Sequence, residues 1–462
     1  MKKSTVSSLA AAVALMLAGC VSFAPDHLRP AAPVAAMWPA PSAAVGKAAA
    51  ELTWQNFYAS DARLRELIEL ALQNNRDLRV ALLNVEQARA LARVADASRF
   101  PTVSAGLISS RVPSANDTIV NTYQAGLQIS AYELDLFGKI KNQSDAATAR
   151  YLATAEGSRA AQISLVAGVA SSYLALQADE ELLGLTRQTL ATREDSVRLT
   201  RLKFDAGAAS QLDFSSAESA AASARATLAQ ALRQRAQDEN ALVLLVGQPL
   251  PNTLSAGLPL SAQSLPDVPA GLPSEVLVNR PDVLQAEQQL SAADANIGAA
   301  RAAFFPSISL TTSLGTASSQ LSDLFSHTAW SFVSQVLLPI FDAGRNKANL
   351  ASARAAQGIA VAQYEKAVQT AFREVADALA GRATFGDQSA ALADQARAEG
   401  ERLRLIDLRY RHGASNSLEL LDAQRAAFAA QQAVVQVRLA QLLNSVQLYK
   451  ALGGGGSGVA KS

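Results

Sequence analysis

Asp213, Glu419 and Asp422 are the charged residues whose spacing suggests chemistry. Each follows a run of small residues that reads as a tight turn, Gly207-Ala208-Ala209-Ser210 before the first and Gly413-Ala414-Ser415-Asn416 before the other two. Gly207 and Gly413 suit the left-handed position that ends a helix, and Ser210 to Asp213 and Asn416 to Glu419 have the spacing of an N-cap and its third helical residue. An αα-hairpin follows at each site, with a carboxylate at the positive end of a helix dipole. Glu419 and Asp422, three residues apart, are neighbours on one helix face. Cys20 is the only cysteine, which excludes an internal disulfide and a thiolate zinc site. His27, His327 and His412 are too scattered for a histidine metal site, and no P-loop, dinucleotide glycine pattern or nucleophile elbow is present. No enzyme, no metal and no cofactor are expected. With 41 basic and 40 acidic residues the chain has no electrostatic footprint for nucleic acid, and 49% hydrophobic content excludes a disordered chain.

The elements that must carry these turns are marked by proline. None occurs between Ser114 and Gln248 or after Pro339, whereas seven crowd the interval from Pro249 to Pro281. The chain is duplicated about this linker. Arg99-Phe100-Pro101-Thr102-Val103-Ser104 answers Phe304-Phe305-Pro306-Ser307-Ile308-Ser309, Asn75-Arg76-Asp77 answers Asn279-Arg280-Pro281-Asp282, and Leu136-Phe137-Gly138-Lys139 answers Ile340-Phe341-Asp342-Ala343-Gly344-Arg345. Leu202-Lys203-Phe204-Asp205-Ala206-Gly207 aligns without gaps on Leu408-Arg409-Tyr410-Arg411-His412-Gly413. Each unit reads as helix, strand pair, long helix, tight turn, helix. The long helices, from about Asn142 to Asp205 and from Asn346 to His412, would reach about 90 Å if straight.

In the first strand pair Tyr123, Ala125, Leu127, Ile129 and Ala131 alternate with polar or small residues, opposite a partner from Val103 through Leu107. In the second, Ile308, Leu310 and Leu314 alternate with Ser and Thr, followed by Trp330, Phe332, Val336 and Leu338. Two architectures fit this alternation, a soluble sheet with one buried face and a transmembrane barrel. Strands of about ten residues favour the second. Four strands cannot close a barrel, and an open edge cannot face lipid, so a barrel requires an oligomer.

The N-terminus adds a targeting signal. Lys2 and Lys3 precede an apolar run to Leu17, and Leu17-Ala18-Gly19-Cys20 resembles the lipobox of bacterial lipoproteins, in which cleavage leaves the cysteine lipidated as the first residue. The resemblance implies diacylglycerol and N-acyl chains on Cys20, and valine after the cysteine implies sorting to the outer membrane. Removing residues 1–19 leaves 41 − 2 = 39 basic against 40 acidic residues.

Lipobox, duplication, strand pairs and paired turns together resemble the TolC-like outer-membrane factors, and within them the lipoprotein branch that serves resistance-nodulation-division efflux pumps. The likeness covers nearly the whole mature chain. It implies an α+β membrane protein, a homotrimeric duct with a 12-stranded outer-membrane barrel, four strands per chain, on a periplasmic helical barrel. The expected organisation is a signal peptide at 1–19, an extended tail at 20–55, a first repeat at 56–248, a linker at 249–280 in an equatorial belt, a second repeat at 281–452 and a flexible tail at 453–462. It further implies a passive conduit for drugs or other small toxic compounds, partnered by a periplasmic adaptor and an inner-membrane pump. The turns would be the periplasmic tips, with Asp213, Glu419 and Asp422 at the pore gate and Gly207, Ala208, Ala209, Ser210, Gly413, Ala414, Ser415 and Asn416 at the adaptor contact. One departure is Ser415, where the family example carries a basic residue. A type I secretion or metal-efflux duct shares the fold, and a periplasmic scaffold lipoprotein with a soluble sheet is the alternative outside transport.

Overall fold

The computed structural model describes residues 22–39, 52–114 and 118–455. The expected signal peptide, Cys20 and most of the C-terminal tail lie outside the described residues. The elements are α1 (Trp54–Phe57), α2 (Ala62–Asn74), α3 (Arg76–Ala97), β1 (Val103–Pro113), β2 (Ile119–Leu134), α4 (Lys139–Asp205), α5 (Gln211–Val246), α6 (Pro273–Leu277), α7 (Pro281–Ala302), β3 (Ser307–Ser318), β4 (Thr328–Leu337), α8 (Arg345–Arg411) and α9 (Ser417–Ala451). Helix, strand pair, 67-residue helix, turn and helix thus occur twice in the expected order. The chain forms two compact units, each drawing on both repeats. One comprises residues 1–31, 83–155 and 284–366, the other 32–82, 156–283 and 367–462.

The first unit holds the sheet, antiparallel throughout in the order β1-β2-β3-β4, with β1 and β4 as open edges. Its register sorts side chains by chemistry. Ala105, Leu127, Leu314 and Trp330 share one rung and face, as do Val103, Ile129, Thr312 and Phe332, while Ser104, Gln128, Ser313 and Ser331 lie on the other face. The apolar row is uncovered, with Leu127 53%, Leu314 60% and Trp330 76% exposed. On the polar face Gly126 and Gly315 oppose each other, and a Cβ on Gly315 would lie 2.0 Å from the carbonyl oxygen of Ala125. Only glycine permits so close an approach of the strands. The alternation breaks at Ala131. It has φ +49°, the register shifts between Ile129 and Tyr132, and Tyr132 rather than Ala131 pairs with Leu310. A bulge of this kind twists the strand and donates the freed Ala131 N–H to Thr311 Oγ1 at 3.1 Å.

At the foot of the sheet, Phe23 of the extended N-terminal segment stacks on Phe305 at 4.6 Å, and Phe305 stacks on Phe137 at 4.9 Å. His27 Nδ1 lies 2.9 Å from Asp294, and Arg29 pairs with Glu287. A tail without regular structure is thereby held through Phe23, His27 and Arg29.

The second unit is cored where α1 and α2 meet the long helices. Phe57 stacks on Tyr449 at 3.9 Å, and Tyr58, Leu67, Ile68, Leu174 and Val446 are buried around them. Asp61 caps α2 and is itself buried, accepting from the Tyr173 hydroxyl at 2.8 Å, Gln263 Nε2 at 2.6 Å and the Leu258 N–H at 3.2 Å. Those bonds fasten the proline-rich linker, and a buried carboxylate is tolerated because it is fully bonded. Repeat symmetry persists here: Asn75 Nδ2 donates to the Leu245 carbonyl in the first repeat, Arg280 Nη1 to the Ala451 carbonyl in the second.

Candidate functional site: the paired helical turns

Both turns lie in the second unit and close in the same way. After α4, Gly207 takes φ +72°, the Ala208 N–H donates to the Lys203 carbonyl at 2.7 Å, and Ser210 opens α5. After α8, Gly413 takes φ +76°, the Ala414 N–H donates to the Arg409 carbonyl at 2.8 Å, and Asn416 opens α9. A positive φ at these two positions is what glycine supplies without strain. Ser210 and Asp213 form a reciprocal capping box, the Asp213 N–H donating to Ser210 Oγ and the Ser210 N–H to Asp213 Oδ2, each at 3.1 Å. Asn416 Oδ1 accepts from the Glu419 N–H at 2.8 Å.

The three carboxylates stand in different surroundings. Asp213 Oδ1 accepts from Ser417 Oγ, a bond from one hairpin to the other. Hydrogen bonds from Ser210 and then Ser417 hold its carboxyl below the usual range. Asp422 is flanked by two guanidiniums, Arg402 Nη2 and Arg425 Nη2, each at 2.7 Å, and they hold its carboxyl down as well. Arg402 also pairs with Glu399 at 3.0 Å. Glu419 is exposed, accepts from the Ser415 hydroxyl, and has no cation bonded to it among the described residues. Of the three, only Asp422 has cations bonded to it among the described residues, whereas Asp213 and Glu419 are met by hydroxyl and amide donors alone.

Further contacts tie the hairpins together. Lys203 Nζ sits 4.0 Å from the centre of the Tyr410 ring, and Gln424 Nε2 reaches Ser196 Oγ at 3.5 Å. Within the first hairpin Phe204 stacks on Phe214 at 5.8 Å, with Arg201 over the Phe214 ring. Capping and turn residues were readable from spacing. Arg402, Ser417 and the Lys203–Tyr410 pair were not singled out, although Arg425, three residues after Asp422, carries a helix-pair signal. Among the described residues no group of histidine, cysteine and acidic side chains is arranged to hold a metal ion.

The family model for outer membrane efflux proteins matches residues 67–248 and 272–454. The toluene efflux pump outer membrane protein TtgC of Pseudomonas putida is 47% identical over 98% of this chain and 96% of its own length. The outer membrane protein OprJ of Pseudomonas aeruginosa is 44% identical, covering 98% of this chain and 97% of its own. The open-state structure of the Neisseria gonorrhoeae MtrE outer membrane channel superposes with a TM-score of 0.86 at 41% identity, over 94% of this chain and 98% of that one.

Proposed function

The chain belongs to the outer membrane efflux protein family, and from that premise we propose that three copies assemble into the exit duct of a tripartite efflux system. The duct lies in the outer membrane and carries drugs, solvents or other small toxic compounds outward without chemistry of its own. The observation that carries this reading is the sheet: four strands with two open edges, one apolar exposed face and one polar face. An open edge facing lipid leaves backbone groups unpaired, so the edges of β1 and β4 must meet those of other copies. Twelve strands then close a barrel with the Trp330 row toward lipid and the Ser313–Ser331 row toward water.

Lipid on Cys20 and a periplasmic adaptor and resistance-nodulation-division pump complete the reading. The turns are the periplasmic tips. Gly207, Ala208, Ala209, Ser210, Gly413, Ala414, Ser415 and Asn416 meet the adaptor, and small side chains there allow backbone-to-backbone contact. Asp213, Glu419 and Asp422 form the gate. Glu419 is the strongest gate candidate, because three exposed, uncompensated carboxylates brought together on an axis repel one another and attract cations. Asp213 latches the two hairpins of one chain through Ser417.

Planar-bilayer recording of the purified protein tests this function. Small or rare conductance is expected from the intact channel, with larger and more frequent openings when Glu419 and Asp422 are both changed to Ala. Absence of any conductance in either form, with one chain per particle in detergent, would sink the duct. Identical records from a conducting variant and parent would remove only the gate assignment.

A further inference from the structure

Two arginines are buried among the described residues, and the fold treats them differently. Arg280, 6% exposed, pairs with Asp282 and Glu374 at 2.7 Å each and donates to the Ala451 carbonyl. Arg193, 7% exposed, makes no hydrogen bond, ion pair or ring contact among the described residues. Burial draws its pKa below the ordinary arginine value, yet a guanidinium stays charged in a protein. A buried charge without a partner costs free energy that nothing within this chain recovers.

Arg193 lines an open cavity of about 360 Å³ between α4, α5 and α9. Asp422 is the one acid on its wall, and both of its oxygens are already taken, by Arg402 and Arg425 at 2.7 Å each. Arg425 shares the wall and bonds only Asp422, through Nη2, so its remaining N–H groups are free. The Ser223 hydroxyl, from α5, is a further donor without a partner among the described residues. Leu421 and the 72% exposed Leu418 form an apolar side. Surplus positive charge, spare donors and an apolar wall together suit a carboxylate on a short apolar stem: the guanidinium fork matches both carboxylate oxygens, and the stem displaces water from the leucines.

The duplication supplies a contrast. At the offset between the two turns, 413 − 207 = 206 residues, Arg193 answers Glu399 and Arg425 answers Ser219. Glu399 has its own partner, Arg402 at 3.0 Å. The hairpin fold is therefore built without a buried arginine at the matching place, and the basic cavity occurs on one side of the repeat only.

We propose that this cavity is a binding site for an organic carboxylate, held by Arg193 with Arg425 and Ser223 and packed on Leu418 and Leu421. The site lies within one chain and needs no ring to form. A bound carboxylate bridges α4 and α9, and so fastens the first hairpin to the second where Arg193 now has no partner.

Melting of the purified full-length protein in detergent tests the site, with butyrate as the probe and chloride at equal ionic strength as the reference. Butyrate is expected to raise the melting temperature by mass action and to slow amide exchange at the start of α9, while n-butanol does neither. Arg193→Gln should melt no lower than the parent without butyrate, because an unpaired buried charge is gone, and should need about tenfold more butyrate for the same rise. Arg193→Lys, which keeps the charge without the fork, should fall between the two. A parent indifferent to butyrate, an equal response in Arg193→Gln, or an equal effect of sulfate would overturn the site. The tripeptide acetyl-Leu-Glu-Leu-amide separates the two sources of such a ligand. Action at lower concentration than butyrate assigns the site to a carboxylate side chain of a protein partner, and the reverse order assigns it to a free small acid. Conductance plays no part in these measurements, so their failure leaves the proposed duct standing.

Discussion

At the scale of single residues, the tips depend on short-range bonds whose removal has a local and measurable cost. Ser210→Ala leaves the Asp213 N–H at the start of α5 without its acceptor and should cost about 1 kcal/mol, read as faster amide hydrogen exchange confined to the first turn of α5. Acid should act on the same turns. The folded-state pKa values of Asp213 and Asp422 are lowered by their partners, so the stability these groups contribute is present above the ordinary carboxylate pKa of about 4 and is lost as pH falls through the lowered values. Hydrogen exchange at the tips should therefore quicken on acidification below about pH 4, and Asp422→Asn should blunt that response. Cap and turn residues were legible because they act within four positions of chain. The environment of Asp422 was legible only in part, since Arg425 is local but Arg402 arrives from another helix.

Among the elements, the sheet and the long hairpins each carry one testable constraint. A Cβ on Gly315 would collide with the backbone of β2, whereas one on Gly106 would meet only Gln128 Nε2 at 3.8 Å. Gly315→Val should abolish insertion into the outer membrane and Gly106→Ala should not, judged by protection of the strands from external protease. Between α4 and α5, burial together with the neighbouring Asp238 and Glu180 pushes the Asp179 carboxyl up to about 7, against the opposing effect of Arg235. A folded pKa raised above the unfolded value makes the protein more stable in acid, with that stability lost as pH rises from about 4 to 7. Melting temperatures measured across this window should fall with rising pH in the parent and fall less steeply in Asp238→Asn, where burial and Glu180 still act on Asp179. Strand positions were legible from alternation, yet the bulge at Ala131 was not. Its register reflects how β2 pairs with β3, a strand about 180 residues away, and no local pattern encodes that.

For the whole molecule, the attachment to the membrane proposed above has two separable parts. Cys20→Ala should abolish incorporation of labelled palmitate while leaving barrel insertion intact, because a lipid anchor and a spanning barrel are independent attachments. Labelled lipid that persisted in this variant would refute the lipidation of Cys20. Loss of insertion together with loss of label would show that the anchor is needed for assembly.

The duplication, the order of elements, the two strand pairs and both turns are legible in the residues alone, because proline, glycine and hydrophobic period act locally and are written twice. Residue type and spacing also single out Cys20, Asp213, Glu419 and Asp422. How those three carboxylates differ emerges from folding. Asp213 is half-buried and latched to Ser417, Asp422 is flanked by two arginines, and Glu419 is exposed with only hydroxyl and amide donors on it. The reason is physical: the charge a carboxylate presents depends on donors and cations brought within about 3 Å of it, and at the tips those partners come from helices that only folding sets side by side.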